Sequence, residues 1–175
     1  MRMRKGLTLV YTGNGKGKTT AALGLALRAI GHGQRVFMIQ FMKGSAEYGE
    51  IQAARYLPHF TLVQKGLPTF VKKGEPSPED LRLAREGLEL AKQVIQAGEH
   101  ELIILDEVNV AVDYGLLREQ DVLELIDLKP EGVTLVLTGR YASDSLLGKA
   151  DMVSEVKDVK HHFQRGIPSQ PGIEY

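Results

Sequence analysis

The 175-residue chain contains no cysteine. Disulfides, thiolate metal sites and cysteine nucleophiles are thereby excluded. It also lacks an excess of charge: 22 lysine and arginine residues balance 22 aspartate and glutamate residues. Without a basic bias, nucleic acid and anionic membranes are not expected partners. No apolar run approaches the length of a bilayer span. The basic start is followed by an apolar stretch too short for a signal peptide, and glycines follow it at once. A cytoplasmic location is the expectation.

Apolar residues make up 43% of the chain and charged residues 25%, an ordinary globular mix. The length suits one domain with a proper core. No internal repeat and no second domain is visible. Residues 1–175 therefore read as a single domain. Its last part, 158–175, has no clear period and is expected to form an extended tail lying over the surface.

Apolar runs alternate with helical patterns along the chain. Leu7 to Tyr11, Arg35 to Phe41, Phe60 to Gln64, Glu101 to Glu107, Gly132 to Arg140 and Met152 to Val156 read as strands. A helix is expected after the glycine-rich segment that follows the first strand, ending near Gly31 and Gly33. Another begins at Ser77-Pro78-Glu79-Asp80, which combines a cap, a proline and two acids, and stops at Gly98. Shorter helices are expected at 47–57, 119–128 and 143–149, and 110–117 is ambiguous. Nearly continuous apolar strands between helices argue a mostly parallel sheet covered on both faces: a three-layer α/β fold of the phosphate-loop NTPase kind. Ligands in such sheets bind beyond the C-terminal strand ends.

Three segments at those ends carry chemistry. The first is Thr12-Gly13-Asn14-Gly15-Lys16-Gly17-Lys18-Thr19-Thr20. A strict phosphate loop is Gly, four residues, Gly-Lys-Ser/Thr. Here Thr12 stands where the leading glycine is expected, and Gly13 is one residue too close. The strand before the loop and the helix after it nonetheless fit. Glycines let amide groups wrap phosphate, and an open helix start adds unpaired N–H groups and a favourable dipole. Lys18 is expected on the β- or γ-phosphate, Thr19 on Mg²⁺ and Thr20 on a further phosphate. Lys16 is an extra cation, and Asn14 bonds phosphate or clamps the loop.

The second segment is Asp106-Glu107, two acids closing an apolar strand. One can hold Mg²⁺ directly or through water, while the other orders water or meets the ligand. Asn109 and Asp113 either line the site or cap a helix. The third segment is Thr138-Gly139-Arg140, whose arginine reaches phosphate or forms an ordinary surface pair. Lys43, after the second expected strand, meets nucleotide or a second substrate, or is a solvated loop lysine. His161 and His162 stand together, but without cysteines or spaced carboxylates a zinc site is not expected.

The loop and helix from Thr12 to Gly33, Val36 to Gly44, Ile103 to Leu117, Leu137 to Arg140, and the tail from Ala150 to Tyr175 together resemble the phosphate-loop type of ATP:corrinoid adenosyltransferase. The resemblance covers nearly the whole chain. It implies transfer of the 5′-deoxyadenosyl group of ATP to Co(I) of a reduced corrinoid, with release of triphosphate. The loop then holds the leaving group. The resemblance also implies Mg²⁺ or Mn²⁺, a homodimer, and a reduced flavoprotein as electron source. Lys18, Glu107 and Asp106 become the catalytic set, with Thr19, Glu107 and Asp106 at the metal.

In the family, aromatic side chains lie beneath the corrin ring. Here Phe70 is the candidate, and the chain has no tryptophan. Some members carry a longer N-terminal segment that folds over the corrinoid; this chain's first strand begins at about residue 7. Two other classes share the generic features. One is a phosphate-loop ATPase or small-molecule kinase, which makes ADP instead of triphosphate. The other is a nucleotide or corrinoid carrier that never forms a cobalt–carbon bond.

Overall fold

A computed structural model describes residues 5–175. Six strands form one sheet: β1 (Thr8–Thr12), β2 (Val36–Phe41), β3 (Phe60–Lys65), β4 (Leu102–Asp106), β5 (Thr134–Thr138) and β6 (Met152–Glu155). Their order across the sheet is β3-β2-β4-β5-β1-β6, and every ladder is parallel. All C-terminal strand ends therefore open on one edge of the sheet. The strand bearing the glycine loop, β1, is separated from the acid-bearing β4 by β5.

Side chains alternate across a strand, and the two faces carry different cores. Leu9, Met38, Leu102, Ile104 and Val136 meet Ala22, Ala26 and Ala29 of helix α1 (Lys18–Gly31). Alanines at helical spacing let α1 lie close on the sheet. Val10, Ile39, Ile103, Leu105 and Leu137 form the opposite core. That face is covered by α3 (Pro78–Ala97) and α5 (Glu119–Leu128), with the short α4 (Val108–Asp113) and α6 (Asp144–Lys149) beside them. The short α2 (Gly49–Ala54) leads into β3. Among the described residues, no helix is long and apolar enough to cross a membrane.

Helix α3 shows how local sequence sets an element. The Ser77 hydroxyl accepts from the Asp80 N–H at 3.1 Å, and the Asp80 carboxylate accepts from the Ser77 N–H at 2.9 Å. Pro78 fills the first turn, and Gly98 ends the helix in the left-handed region at φ 62°. At Gly87 a Cβ would lie 2.7 Å from the Phe41 ring, so the absence of a side chain sets how closely the helix approaches β2.

The tail is largely exposed, and it borders the C-terminal strand edge. A 3₁₀ turn, His162–Arg165, interrupts it, and its last residues turn back so that the Gly172 N–H donates to the Tyr175 carbonyl at 2.7 Å. Replacing the cap of α3 tests the helix reading: Ser77→Ala should cost about 1 kcal/mol. Thermal melting should then fall by about 2–4 °C for a chain of this size, with no change of fold by circular dichroism.

Candidate active site

A cleft of about 1250 Å³ opens at the C-terminal strand edge. Its floor is the loop between β1 and α1. Helix α1 starts from Gly17 at φ 119°, with no side-chain cap and no acid in its first turn. That is the reverse of α3, whose start is capped and acidic. The first N–H groups of α1 are left for an anion, and the helix dipole favours one there.

The glycines of the loop have separate reasons. At Gly17 nothing lies within 4 Å of a would-be Cβ, so the positive φ is the requirement. Gly13 and Gly15 are required for close packing. A Cβ on Gly13 would stand 2.4 Å from the Val156 carbonyl oxygen, and one on Gly15 would stand 2.5 Å from that of Lys157. The Gly15 N–H donates to the Val156 carbonyl at 2.8 Å. The chain leaving β6 therefore braces the loop from behind. Lys18 is 7% exposed, and its ammonium donates to the Gly15 carbonyl at 2.7 Å. Burial lowers its pKa below the usual lysine value; Glu107 opposes this, Arg140 adds to it, and Asp106 opposes it.

Asp106 is fully buried. One oxygen accepts from the Thr19 hydroxyl at 2.9 Å and the Thr138 hydroxyl at 2.7 Å. The other accepts from the Lys43 ammonium at 2.9 Å and the Gln40 amide at 3.3 Å. Burial works against the Lys43 charge, but Asp106 outweighs it and the Lys43 pKa rises. Gln40 also donates to Glu50, at 2.9 Å, which draws α2 into the network. Glu107 follows in the left-handed region at φ 61°, with its N–H donating to the Thr138 hydroxyl at 3.0 Å. Burial and then the charge of Asp106 raise the Glu107 pKa; Lys43, Lys18 and Arg140 restrain the rise.

Asn14, Gly15, Lys16, Gly17, Lys18, Thr19, Thr20, Lys43, Phe70, Glu107 and Arg140 all border the cleft. Four residues expected at the ligand or the metal do not: Asp106 is enclosed by the network just described, and Thr12, Gly13 and Asn109 face the framework behind the cleft. Thr12 turns aside and its hydroxyl accepts from the Ala142 N–H at 3.4 Å. Gly13 packs under the chain at 155–156. Asn109 is 1% exposed, and its amide donates to the Gly139 carbonyl at 3.1 Å, across the α4–β5 boundary. Thr12 and Asn109 lie on either side of the turn after β5, and Asp113 pairs with Lys73 at 2.6 Å.

Sequence reasoning missed other walls of the cleft: Tyr48 and Glu50, Tyr114 and Tyr141, and the tail residues Phe163, Ile173 and Tyr175. An isolated tyrosine or isoleucine carries no spacing signal that would single it out. The His161 and His162 rings stack at 4.5 Å and 27°, and with Glu174 their ligand atoms fall within 4.8 Å of one another. Near-parallel rings aim their in-plane lone pairs side by side, which suits a single tetrahedral ion poorly.

An uncapped helix start after a parallel strand, a buried lysine over it, and an acid pair on the third strand across define a phosphate-loop nucleotide-binding protein. The comparisons agree. At the level of fold alone, the structure of a KaiC-like protein from Pyrococcus horikoshii superposes with a TM-score of 0.56 at 22% identity, covering 87% of this chain and 73% of that one. A family model described as ATP:corrinoid adenosyltransferase BtuR/CobO/CobP matches residues 4–175. The corrinoid adenosyltransferase of Escherichia coli is 37% identical over 171 residues, 98% of this chain and 86% of that protein. That of Pseudomonas aeruginosa is 36% identical over 174 residues, 99% and 86%. The chain belongs to the ATP:corrinoid adenosyltransferase family. It is an enzyme that transfers the adenosyl group of ATP to the cobalt of a corrinoid.

The raised pKa of Glu107 has a consequence for stability. The folded protein binds this proton more tightly than the unfolded chain. That contribution is complete below the ordinary carboxyl value of 4.5 and is lost as pH rises through the folded-state value. Glu107→Gln should therefore melt higher than wild type at pH 7 to 8 in nucleotide-free, chelator-treated protein, by roughly 2 °C. The gain should vanish as pH falls toward the ordinary carboxyl range, and the variant should lose adenosyl transfer.

Proposed function

We propose that the loop holds the triphosphate of ATP as a leaving group while the reduced corrinoid occupies the wider part of the same cleft. The observation that carries this reading is a large cleft bordered both by the cations Lys18 and Arg140 and by the exposed aromatic residues Phe70, Tyr141 and Phe163. Co(I) is itself the nucleophile toward the ribose C5′. No side chain needs to be activated for attack, and this network offers no serine or cysteine for it. The chain's work is to hold C5′ in line with cobalt and to neutralise charge gathering on the departing triphosphate.

Lys18, the free N–H groups of α1 and Arg140 supply that positive field. Burial strengthens the contribution of Lys18, whereas Arg140 reaches the cleft from an exposed position. Lys16, Asn14 and Thr20 border the same wall and extend the contacts to the phosphates. The oxygen donors of Thr19, Asp106 and Glu107 suit a hard divalent cation, Mg²⁺ or Mn²⁺. When bound there, such an ion would supply further neutralisation of phosphate charge. The Thr19 hydroxyl gives its proton to Asp106, which would leave its oxygen lone pairs available to such an ion. Lys43 donates to the other Asp106 oxygen and keeps that carboxylate in place.

A homodimer, a flavoprotein reductant and a cytoplasmic location, where ATP is supplied, complete the reading; they rest on the family. So does the description of residues 1–175 as one catalytic domain.

The test is an anaerobic mixture of the protein, ATP, Mg²⁺ and chemically reduced cobalamin, followed by the corrinoid spectrum. Co(I) bands should disappear, a light-sensitive adenosyl product should form, and one triphosphate should appear per turnover. Lys18→Ala should lose at least about 100-fold in rate, the scale of one lost electrostatic contact to developing charge. ADP in place of triphosphate would instead identify a kinase or ATPase. Binding of both substrates without an alkyl product would identify a carrier.

A further inference from the structure

Four residues other than glycine have positive φ among the described residues: Met42, His59, Glu107 and Tyr141. Met42, Glu107 and Tyr141 all lie just beyond the C-terminal ends of strands, and all three border the cleft. Left-handed backbone is unfavourable for a side chain with a Cβ and persists only where the surroundings impose it. Glu107 has an evident use. Tyr141, at φ 63°, does not obtain one from the core, because it is 52% exposed.

The turn that carries Tyr141 is fixed from two sides. Asn109 bonds the Gly139 carbonyl, and the Thr12 hydroxyl accepts from the Ala142 N–H. At Gly139 itself a Cβ would stand 3.0 Å from the Val110 nitrogen, so the turn is pressed against α4. These are the two polar residues that sequence placed at the ligand and that the structure withdraws from it. Their work is to present Tyr141.

Opposite the turn is the loop that bears Phe70, whose side chain is fully exposed at the cleft. Lys73 of that loop ties the two together. Its ammonium lies 5.2 Å from the centre of the Tyr141 ring, 5.9 Å from that of Tyr114, and 2.6 Å from the Asp113 carboxylate. A cation shared between two ring faces and a carboxylate is a clasp: it fixes the spacing between the Phe70 loop and the two tyrosines.

We propose that Tyr141 is a corrinoid-binding residue, its ring set by a strained turn to pack flat on the macrocycle, with Lys73 clasping the Phe70 loop at the matching distance. The inference rests on the reading that the corrinoid enters this cleft. A corrin is broad, flat and largely apolar over its faces. The rings of Tyr141, Tyr114 and Phe70, all bordering one cleft, match it, and a chain without tryptophan has phenylalanine and tyrosine with which to build such a surface.

Binding of Co(II) cobalamin, in the presence of ATP, is titrated by its visible spectrum for wild type, Tyr141→Gly, Tyr141→Phe and Lys73→Ala. Steady-state constants for ATP and for reduced cobalamin are measured in parallel. Glycine adopts positive φ freely, so Tyr141→Gly should melt at or above the wild-type temperature. Its corrinoid constant should nevertheless rise about tenfold, the loss of one aromatic contact, with the constant for ATP unchanged. Tyr141→Phe should stay within about twofold of wild type, because it keeps the ring face. Lys73→Ala should weaken corrinoid in the same direction without touching ATP. If Tyr141→Gly binds corrinoid like wild type, or weakens ATP and corrinoid alike, the proposal is overturned. If wild type binds no corrinoid, the reading beneath it falls as well.

Discussion

The carboxylate of Asp106 is the point on which the site depends. It is fully buried, so its oxygens must find their hydrogen-bond partners inside the protein. Four groups answer it: the Thr19 hydroxyl at the start of α1, Thr138 at the end of β5, Gln40 at the end of β2, and Lys43 just beyond. One buried charge thereby ties three strand ends and the phosphate-binding helix to a common centre. Breaking such a group typically costs about 3–5 kcal/mol, because it strands a charge in the interior. The cleft inherits its rigidity from that network, and its donors are set before any ligand arrives.

Around this centre the protein accepts unfavourable local states. Glu107 is harder to ionise than an ordinary carboxyl group, and Lys18 is harder to protonate than an ordinary lysine. Both sit where a triphosphate or a cation would relieve them. Met42, Glu107 and Tyr141 hold left-handed backbone at the same edge of the sheet. The stabilising burial lies elsewhere, in two apolar layers on either face of the strands. Strained and ill-solvated groups collect at the one edge that has to recognise something, as expected when function and stability compete.

Much of this was legible beforehand. The strands were visible as apolar runs because a parallel sheet is buried on both faces. Ser77-Pro78-Glu79-Asp80 announced α3 because capping is a contact between near neighbours in sequence. Lys18, Thr19 and the Asp106-Glu107 pair were visible for a similar reason: loop, helix start and strand end each carry their chemistry within a few residues. That Thr12, Gly13 and Asn109 face the framework behind the cleft was not visible, because which way each turns depends on segments 30 or more residues away in sequence. Tyr114, Tyr141, Tyr48 and the tail gave no local signal at all. The close packing of Gly13 and Gly15 on the backbone at 155–157 likewise had no local signal.

The sequence by itself determined the order of strands and helices, the phosphate-binding segment and, through a resemblance spread over nearly the whole chain, the reaction. Those properties reside in short-range patterns: period, caps, and residue types at fixed spacing. The tertiary structure alone decided which groups share Asp106, which glycines are needed for φ and which for close packing. It also decided that the tail walls the cleft and that the turn after β5 presents a tyrosine to it. Each of those facts is a meeting of distant segments, and it is the order of the strands across the sheet that brings them together.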